Sequence, residues 1–169
     1  MKDVAELLNA MREAGVIVEY AVFGAIAQMR YTEPVATLDA DILVILPENA
    51  GLDVLAPIYR YCEARGYLPQ GEAILVGRWP VQFIPVFSRL TEAAVAEAET
   101  DEIEGVPMRV VSATHLALIA LSVGRAKDHL RIISLLDSGA VTRQEVETLA
   151  QKFDLSEQLN RFQKRYLDE

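Results

Sequence analysis

The sequence predicts an α/β fold, in which a mixed β-sheet flanked by helices is followed by a C-terminal helical bundle. Up to about residue 111, short runs rich in β-branched and aromatic residues alternate with segments of helical periodicity. From Ser112 onward, every segment has helical periodicity. We therefore predict a core over residues 1–111 and a helical region over residues 112–169, packed together closely enough to count as one domain.

The elements of the first half follow from hydrophobic spacing and from glycine and proline positions. The first helix, residues 2–13, is amphipathic and stops at Gly15. A buried strand over residues 16–23 ends at Gly24, and a short helix covers residues 25–30. A proline-containing loop then leads to a second strand over residues 39–46 and a helix over residues 52–65.

The remaining elements are a hairpin, a short helix, an edge strand and the helical region. The hairpin strands are residues 72–77 and 81–87, and the helix begins near Thr91. Residues 108–112 are predicted as a last strand at the sheet edge. Ser112 is the predicted N-cap of an apolar, buried helix. Boundary residues of the later helices are Gly124, Gly139, Thr142 and Ser156.

Composition excludes several classes of protein. The net charge of −9 argues against broad, sequence-independent binding to nucleic acid, which requires many cations to neutralise phosphates. Cys62 is the single cysteine, so no intrachain disulfide forms and a reducing compartment is expected. The N-terminus does not resemble a signal peptide, and no apolar run approaches the roughly 18 residues that span a bilayer. We expect a cytoplasmic protein with no membrane partner.

Two carboxylates stand at the start of the second strand. Asp39 and Asp41 are alternate residues, so their side chains share one face of the strand. Like charges this close repel each other unless a cation lies between them, and hard divalent cations such as Mg²⁺ or Mn²⁺ bind carboxylates together with substrate phosphates. The alternative is a pair of solvated loop acids beside a strand.

A glycine precedes this pair at a strand-to-helix turn. Gly24 lets the backbone approach a ligand closely, and the N–H groups of the following helix can bind phosphate. Simple turn geometry also explains a glycine at this position. Lys127, in the helical region, can reach a phosphate, or it is a surface lysine at a helix start.

Together these residues resemble the nucleotidyltransferase superfamily related to polymerase beta, in its minimal form. Phe23-Gly24-Ala25, thirteen intervening residues and Asp39-Ala40-Asp41 match its signature in order and spacing. The stretch is similar to the group around AbiEii-type toxins, in which an arginine and a threonine correspond to Arg30 and Thr37. The segment with Arg125 to Asp128 also resembles that group, so the resemblance covers about residues 16 to 138.

The resemblance implies a metal and nucleotide site. Asp39 and Asp41 become the catalytic, metal-binding residues for Mg²⁺ or Mn²⁺. The implied binding residues for a nucleoside triphosphate (NTP), the substrate, are Gly24, Ala25, Arg30, Thr37, Gln82 and Lys127.

The chain departs from the family pattern at several positions. The third family carboxylate corresponds to Gln82, which cannot act as a general base near neutral pH. The family's serine or glycine after Gly24 is Ala25, its helix lysine corresponds to Ala120, and a second acid corresponds to Arg131. Glu72, on the neighbouring strand, is a candidate substitute for the missing acid.

Two functions follow, and the sequence leaves both open. The first is metal-dependent transfer of a nucleoside monophosphate to RNA, to a protein or to a small molecule, as part of a toxin–antitoxin pair with an antitoxin partner. The second is a catalytically inactive protein of the same fold, acting in binding or regulation. A third reading is a helical partner-binding domain on an unrelated α/β core.

Overall fold

The computed structural model describes residues 1–48 and 51–167, which form a mixed seven-stranded sheet and eight helices. The strands are β1 (Glu19–Phe23), β2 (Ala40–Ile45), β3 (Leu68–Gln70), β4 (Ala73–Val76), β5 (Trp79–Pro85), β6 (Glu99–Ile103) and β7 (Val106–Val110). The helices are α1 (Lys2–Glu13), α2 (Gly24–Gln28), α3 (Ala56–Glu63), α4 (Arg89–Ala96), α5 (Ala113–Val123), α6 (Ala126–Asp137), α7 (Arg143–Lys152) and α8 (Ser156–Tyr166).

The strand order across the sheet is β3-β4-β5-β2-β1-β7-β6. β2 runs parallel to β5 and antiparallel to β1, and β1 runs parallel to β7. The end of β1, the start of β2 and the start of β5 therefore meet at one edge of the sheet. Gly24, Asp39, Asp41 and Gln82 lie in or directly beside these strand ends.

The centre of the sheet is buried from end to end. Ile42, Leu43 and Val44 in β2 and Tyr20 to Val22 in β1 are fully buried. Such continuous apolar runs are typical of strands covered on both faces. α1 packs on β1 and β7, whereas α4 packs on β1 and β2. These buried central strands hold their own ends, where the candidate residues lie, in a rigid arrangement.

The C-terminal helices assemble around α5. Most of its residues are buried, and it contacts α2 and α4 of the core as well as α6, α7 and α8. The Ser112 hydroxyl accepts the His115 N–H, as predicted for an N-cap, and Gly124 ends the helix in the left-handed conformation. The predicted mixed sheet with a C-terminal helical bundle is confirmed. Asp168 and Glu169, at the end of the predicted helical region, lie outside the described residues.

Four elements differ from the sequence-based expectations. The last strand is not an edge strand: β7 lies between β1 and β6. β6 was not predicted, because its sequence, ETDEI, does not alternate apolar and polar residues. Its acidic residues suit a strand at an exposed edge of the sheet. β3 escaped prediction because it has three exposed residues and contains Pro69. α3 begins at Ala56 instead of residue 52, with Pro57 in its first turn.

No helix among residues 1–48 and 51–167 is long and apolar enough to cross a membrane.

Candidate active site

Gly24 joins β1 to α2 and lies directly against the carboxylate of Asp41. Its φ of +67° is in the left-handed region that favours glycine. A Cβ built on Gly24 would lie 2.5 Å from Oδ2 of Asp41. A side chain at this position would therefore strain the backbone and displace the Asp41 carboxylate.

Strand register places Asp41 between the end of β1 and the start of β5. Asp41 pairs with Phe23 of β1 on one side and with Gln82 of β5 on the other. Paired residues on neighbouring strands project to the same face of a sheet. Gln82 thus occupies the position next to Asp41 where the family resemblance requires a third carboxylate.

Asp39 directly precedes β2 and is held by Thr37. The Thr37 hydroxyl lies 3.0 Å from the backbone oxygen of Asp39 and 3.3 Å from its Oδ1, and it donates to these acceptors. This contact gives Thr37 a structural role in the loop before β2. A rigid strand therefore holds Asp41, and a loop stabilised by Thr37 holds Asp39.

A cavity of about 720 Å³ opens beside the carboxylates. Its walls come from the start of α2, the loop before β2 and one face of α6. The charged residues among its lining are Asp39, Asp41, Lys127 and Arg131. Two carboxylates and two cations therefore face one space, which is large enough for a small ligand.

The carboxylate of Asp41 is electrostatically perturbed. Burial raises its pKa, and the nearby Asp39 raises it further, whereas Lys127, Arg131 and Arg125 act in the opposite direction. Folded Asp41 keeps its proton to a higher pH than in the unfolded chain. Stability therefore falls as pH rises from the ordinary aspartate pKa through this raised value, so ionised Asp41 costs stability at neutral pH.

Arg131 is fixed in the cavity wall by two buried partners. Its Nε donates to Oε1 of Gln28 at 3.0 Å, and its Nη1 lies 3.3 Å from Oδ1 of Asp128. Asp128, 1% exposed, also accepts from Nε of Arg125 at 2.8 Å. Gln28 belongs to α2 and Asp128 to α6, so Arg131 links the core to the helical region at the cavity.

The structure brings most of the sequence-predicted residues together. The cavity lining contains Ala25, Thr37, Asp39, Asp41 and Lys127. Two further residues adjoin Asp41: Gly24 contacts its carboxylate, and Gln82 is its strand partner.

Arg30 has other contacts. Its guanidinium lies 2.7 Å from Glu99 and 3.2 Å from Asp101, and it is not part of the cavity lining. Glu72, the candidate substitute acid, is exposed beyond β3 and is also outside the lining. Arg30 and Glu72 therefore stand apart from the carboxylate pair.

Gln28 and Arg131 line the cavity but were not predicted as binding residues. Gln28 gave no signal, because a glutamine in a short helix has no distinctive pattern. Arg131 stands out in the sequence only as a departure from the family pattern. Its role as a cavity cation depends on α6 packing against α2, which no local pattern reports.

The carboxylate pair suits a hard divalent cation only together with a substrate. No group of three or more His, Cys, Asp or Glu side chains that could hold a metal occurs within residues 1–48 and 51–167. Mg²⁺ typically uses one or two protein carboxylates and completes its shell with water and substrate phosphates. Asp39 and Asp41 fit that requirement.

Two features elsewhere have different chemistry. A separate cavity of about 630 Å³ lies between α5 and α7, and its lining includes His115 but neither aspartate of the pair. Burial lowers the pKa of His115 and raises the pKa of Cys62 to about 11. Cys62 is therefore a buried core thiol of low reactivity.

Comparison with known proteins finds a shared fold. No protein-family model and no curated protein matches the chain. The crystal structure of an antigenic nucleotidyltransferase-like protein from Paracoccidioides brasiliensis matches with 18% identity, covering 93% of this chain and 90% of that chain, at a TM-score of 0.57. The solution structure of the antibiotic-resistance factor ANT(2″)-Ia matches with 16% identity, covering 98% and 96%, at a TM-score of 0.54. The chain has a nucleotidyltransferase-like fold.

Proposed function

We propose that this chain is a nucleotidyltransferase that binds an NTP with Mg²⁺ or Mn²⁺ and transfers a nucleoside monophosphate to an acceptor. Asp39 and Asp41 hold the cation, and Gly24 and Ala25 approach the nucleotide through their backbone. Lys127, which belongs to α6, binds a phosphate. An NTP substrate is consistent with a cytoplasmic location.

One observation carries this proposal: Asp41 lies directly against Gly24, with Asp39 two residues before it on the wall of the same cavity. Without a cation this arrangement of two half-buried carboxylates is unfavourable at Asp41, where burial and repulsion from Asp39 both oppose ionisation. Such a pair is therefore more typical of a binding site than of a structural core. The nucleotidyltransferase-like fold supports the same reading.

The transfer forms a bond between an acceptor oxygen and the α-phosphorus and breaks the bond to the leaving pyrophosphate. The cation would stabilise the negative charge that develops on the phosphates. Asp39 and Asp41 position that cation, and Lys127 neutralises part of the developing negative charge. Gln82 cannot take the proton of the acceptor hydroxyl, so this proton passes to water or to a basic group on the acceptor itself.

Gln82 also favours a second candidate function, a catalytically silent protein of this fold that binds nucleotide. A positioned base contributes about 10²–10⁴-fold to such reactions. Without it, binding persists while turnover falls. A silent relative would act through binding or regulation.

The resemblance to AbiEii-type toxins supports a narrower version of the proposal. In that version the acceptor is RNA or a protein, and an antitoxin protein is the partner. A small-molecule acceptor is the third acceptor class. The three classes differ in size and are separated by one labelling experiment.

That experiment incubates the chain with each α-labelled NTP, Mg²⁺, and RNA, protein and small-molecule fractions in turn. We expect label in one fraction, and we expect Asp39→Asn to abolish it. Asp53→Asn is the matched control, because Asp53 is exposed and lies outside the cavity. Absence of label with every NTP, combined with intact nucleotide binding, would support the silent function instead.

A further inference from the structure

Arg131 is a partly buried cation with unused hydrogen-bonding capacity. Its side chain is 13% exposed and is held by Asp128 and Gln28. A guanidinium has five N–H donors. Within residues 1–48 and 51–167, its hydrogen bonds engage Nε and Nη1 and leave the two donors of Nη2 unused.

These unused donors belong to a side chain that lines the cavity beside Asp39 and Asp41. A purely structural link between α2 and α6 would need only the contacts to Asp128 and Gln28. A guanidinium held in one orientation is suited to bind phosphate oxygens in a fixed geometry. Lys127 lines the same cavity but is exposed, and it is a flexible point charge.

We propose that Arg131 binds the polyphosphate of the nucleotide directly, so that the site retains affinity for polyphosphate when no divalent cation is present. This inference rests on the proposed nucleotide site and adds a specific polyphosphate contact to it. Arg131 and Lys127 offset the two carboxylates that would otherwise repel an anion. Metal then strengthens binding instead of being required for it.

The proposal gives Arg131 opposite effects on two ligands. It attracts polyphosphate, but it also repels a metal cation at Asp41, because the two side chains interact through their charges. Removing its charge should therefore weaken the binding of polyphosphate, whereas a divalent metal ion should bind as tightly as before or more tightly. If Arg131 were merely structural, its substitution would weaken the binding of both ligands together.

The test measures binding of inorganic tripolyphosphate in EDTA by calorimetry, and binding of Mn²⁺ alone by electron paramagnetic resonance. We expect Arg131→Gln to weaken tripolyphosphate binding by about 10- to 100-fold and not to weaken Mn²⁺ binding. The matched control is Arg125→Gln, which removes the same charge from the same partner, Asp128, but lies outside the cavity lining. We expect this control to change tripolyphosphate affinity much less.

Arg131→Lys covers the case in which Arg131→Gln does not fold. It keeps the charge but loses the fixed geometry, and we expect an intermediate loss of tripolyphosphate affinity. The inference is overturned if both arginine sites have equal effects, if Arg131→Gln weakens Mn²⁺ and tripolyphosphate alike, or if Arg131→Lys binds like wild type. It is also overturned if the wild type binds Mg-ATP but not tripolyphosphate in EDTA, which would leave the proposed function intact. Absence of Mg-ATP binding would instead reject the proposed function.

Discussion

Gly24→Ala is expected to lower the affinity for a metal–nucleotide complex by about 10- to 100-fold, the loss that follows when one contact to a charged group, worth about 1.5–3 kcal/mol, is displaced. The new Cβ would lie 2.5 Å from Oδ2 of Asp41, and it can be accommodated only if that carboxylate moves. The left-handed backbone adds a second penalty of about 1–2 kcal/mol in the free energy of unfolding. Calorimetric titration with Mg-ATP measures the first effect, and chemical denaturation measures the second.

Gly15→Ala separates these two effects. Gly15 has a φ of +69°, close to the +67° of Gly24, but a Cβ there meets no atom within 4 Å. We expect Gly15→Ala to lose similar stability while it binds Mg-ATP like wild type. If Gly24→Ala also bound normally, the contact between Gly24 and Asp41 would have no role in the site.

Gln82→Asp is expected to raise transfer activity by about 10²–10⁴-fold, the contribution of a positioned base. Gln82 is the strand partner of Asp41, so a carboxylate at this position lies beside the other two. The same change should strengthen Mg²⁺ binding, because a third oxygen ligand with a negative charge joins the site. The labelled-NTP assay measures the rate, with the acceptor fraction that the wild type labels or with all fractions if it labels none.

Gln82→Asn is the matched control, because asparagine has the size of aspartate without its charge. An increase that appears in Gln82→Asp and not in Gln82→Asn identifies the carboxylate as the missing group. Equal rates for the two variants would mean that Gln82 does not explain low activity.

The fold was predictable where local sequence is strongly patterned. The boundaries of α1 match the predicted residues 2–13, and β2 lies within the predicted strand. The sheet order was not predictable, because the pairing of β7 with β1 joins segments far apart in the chain. β6 was missed because an exposed edge strand needs no apolar face.

The candidate site was predictable in part for a related reason. Asp39, Asp41 and Gly24 fall in a short stretch whose order and spacing carry the family resemblance, and Gln82 was assigned through the same resemblance. The buried links from Arg131 to Gln28 and Asp128 were not predictable. They depend on tertiary packing between α2 and α6.

The most direct test of the central claim is calorimetric titration of ATP, with and without Mg²⁺, into wild type, Asp39→Asn and Asp41→Asn. Both variants should fold, since the exchange of carboxylate for amide keeps side-chain size and, at Asp41, removes a buried charge. We predict that Mg²⁺ strengthens ATP binding to wild type and that each variant loses this strengthening. Asp53→Asn should retain it. Equal ATP affinity with and without Mg²⁺ in the wild type, or unchanged Mg²⁺ dependence in the two variants, would contradict a metal–nucleotide site at Asp39 and Asp41.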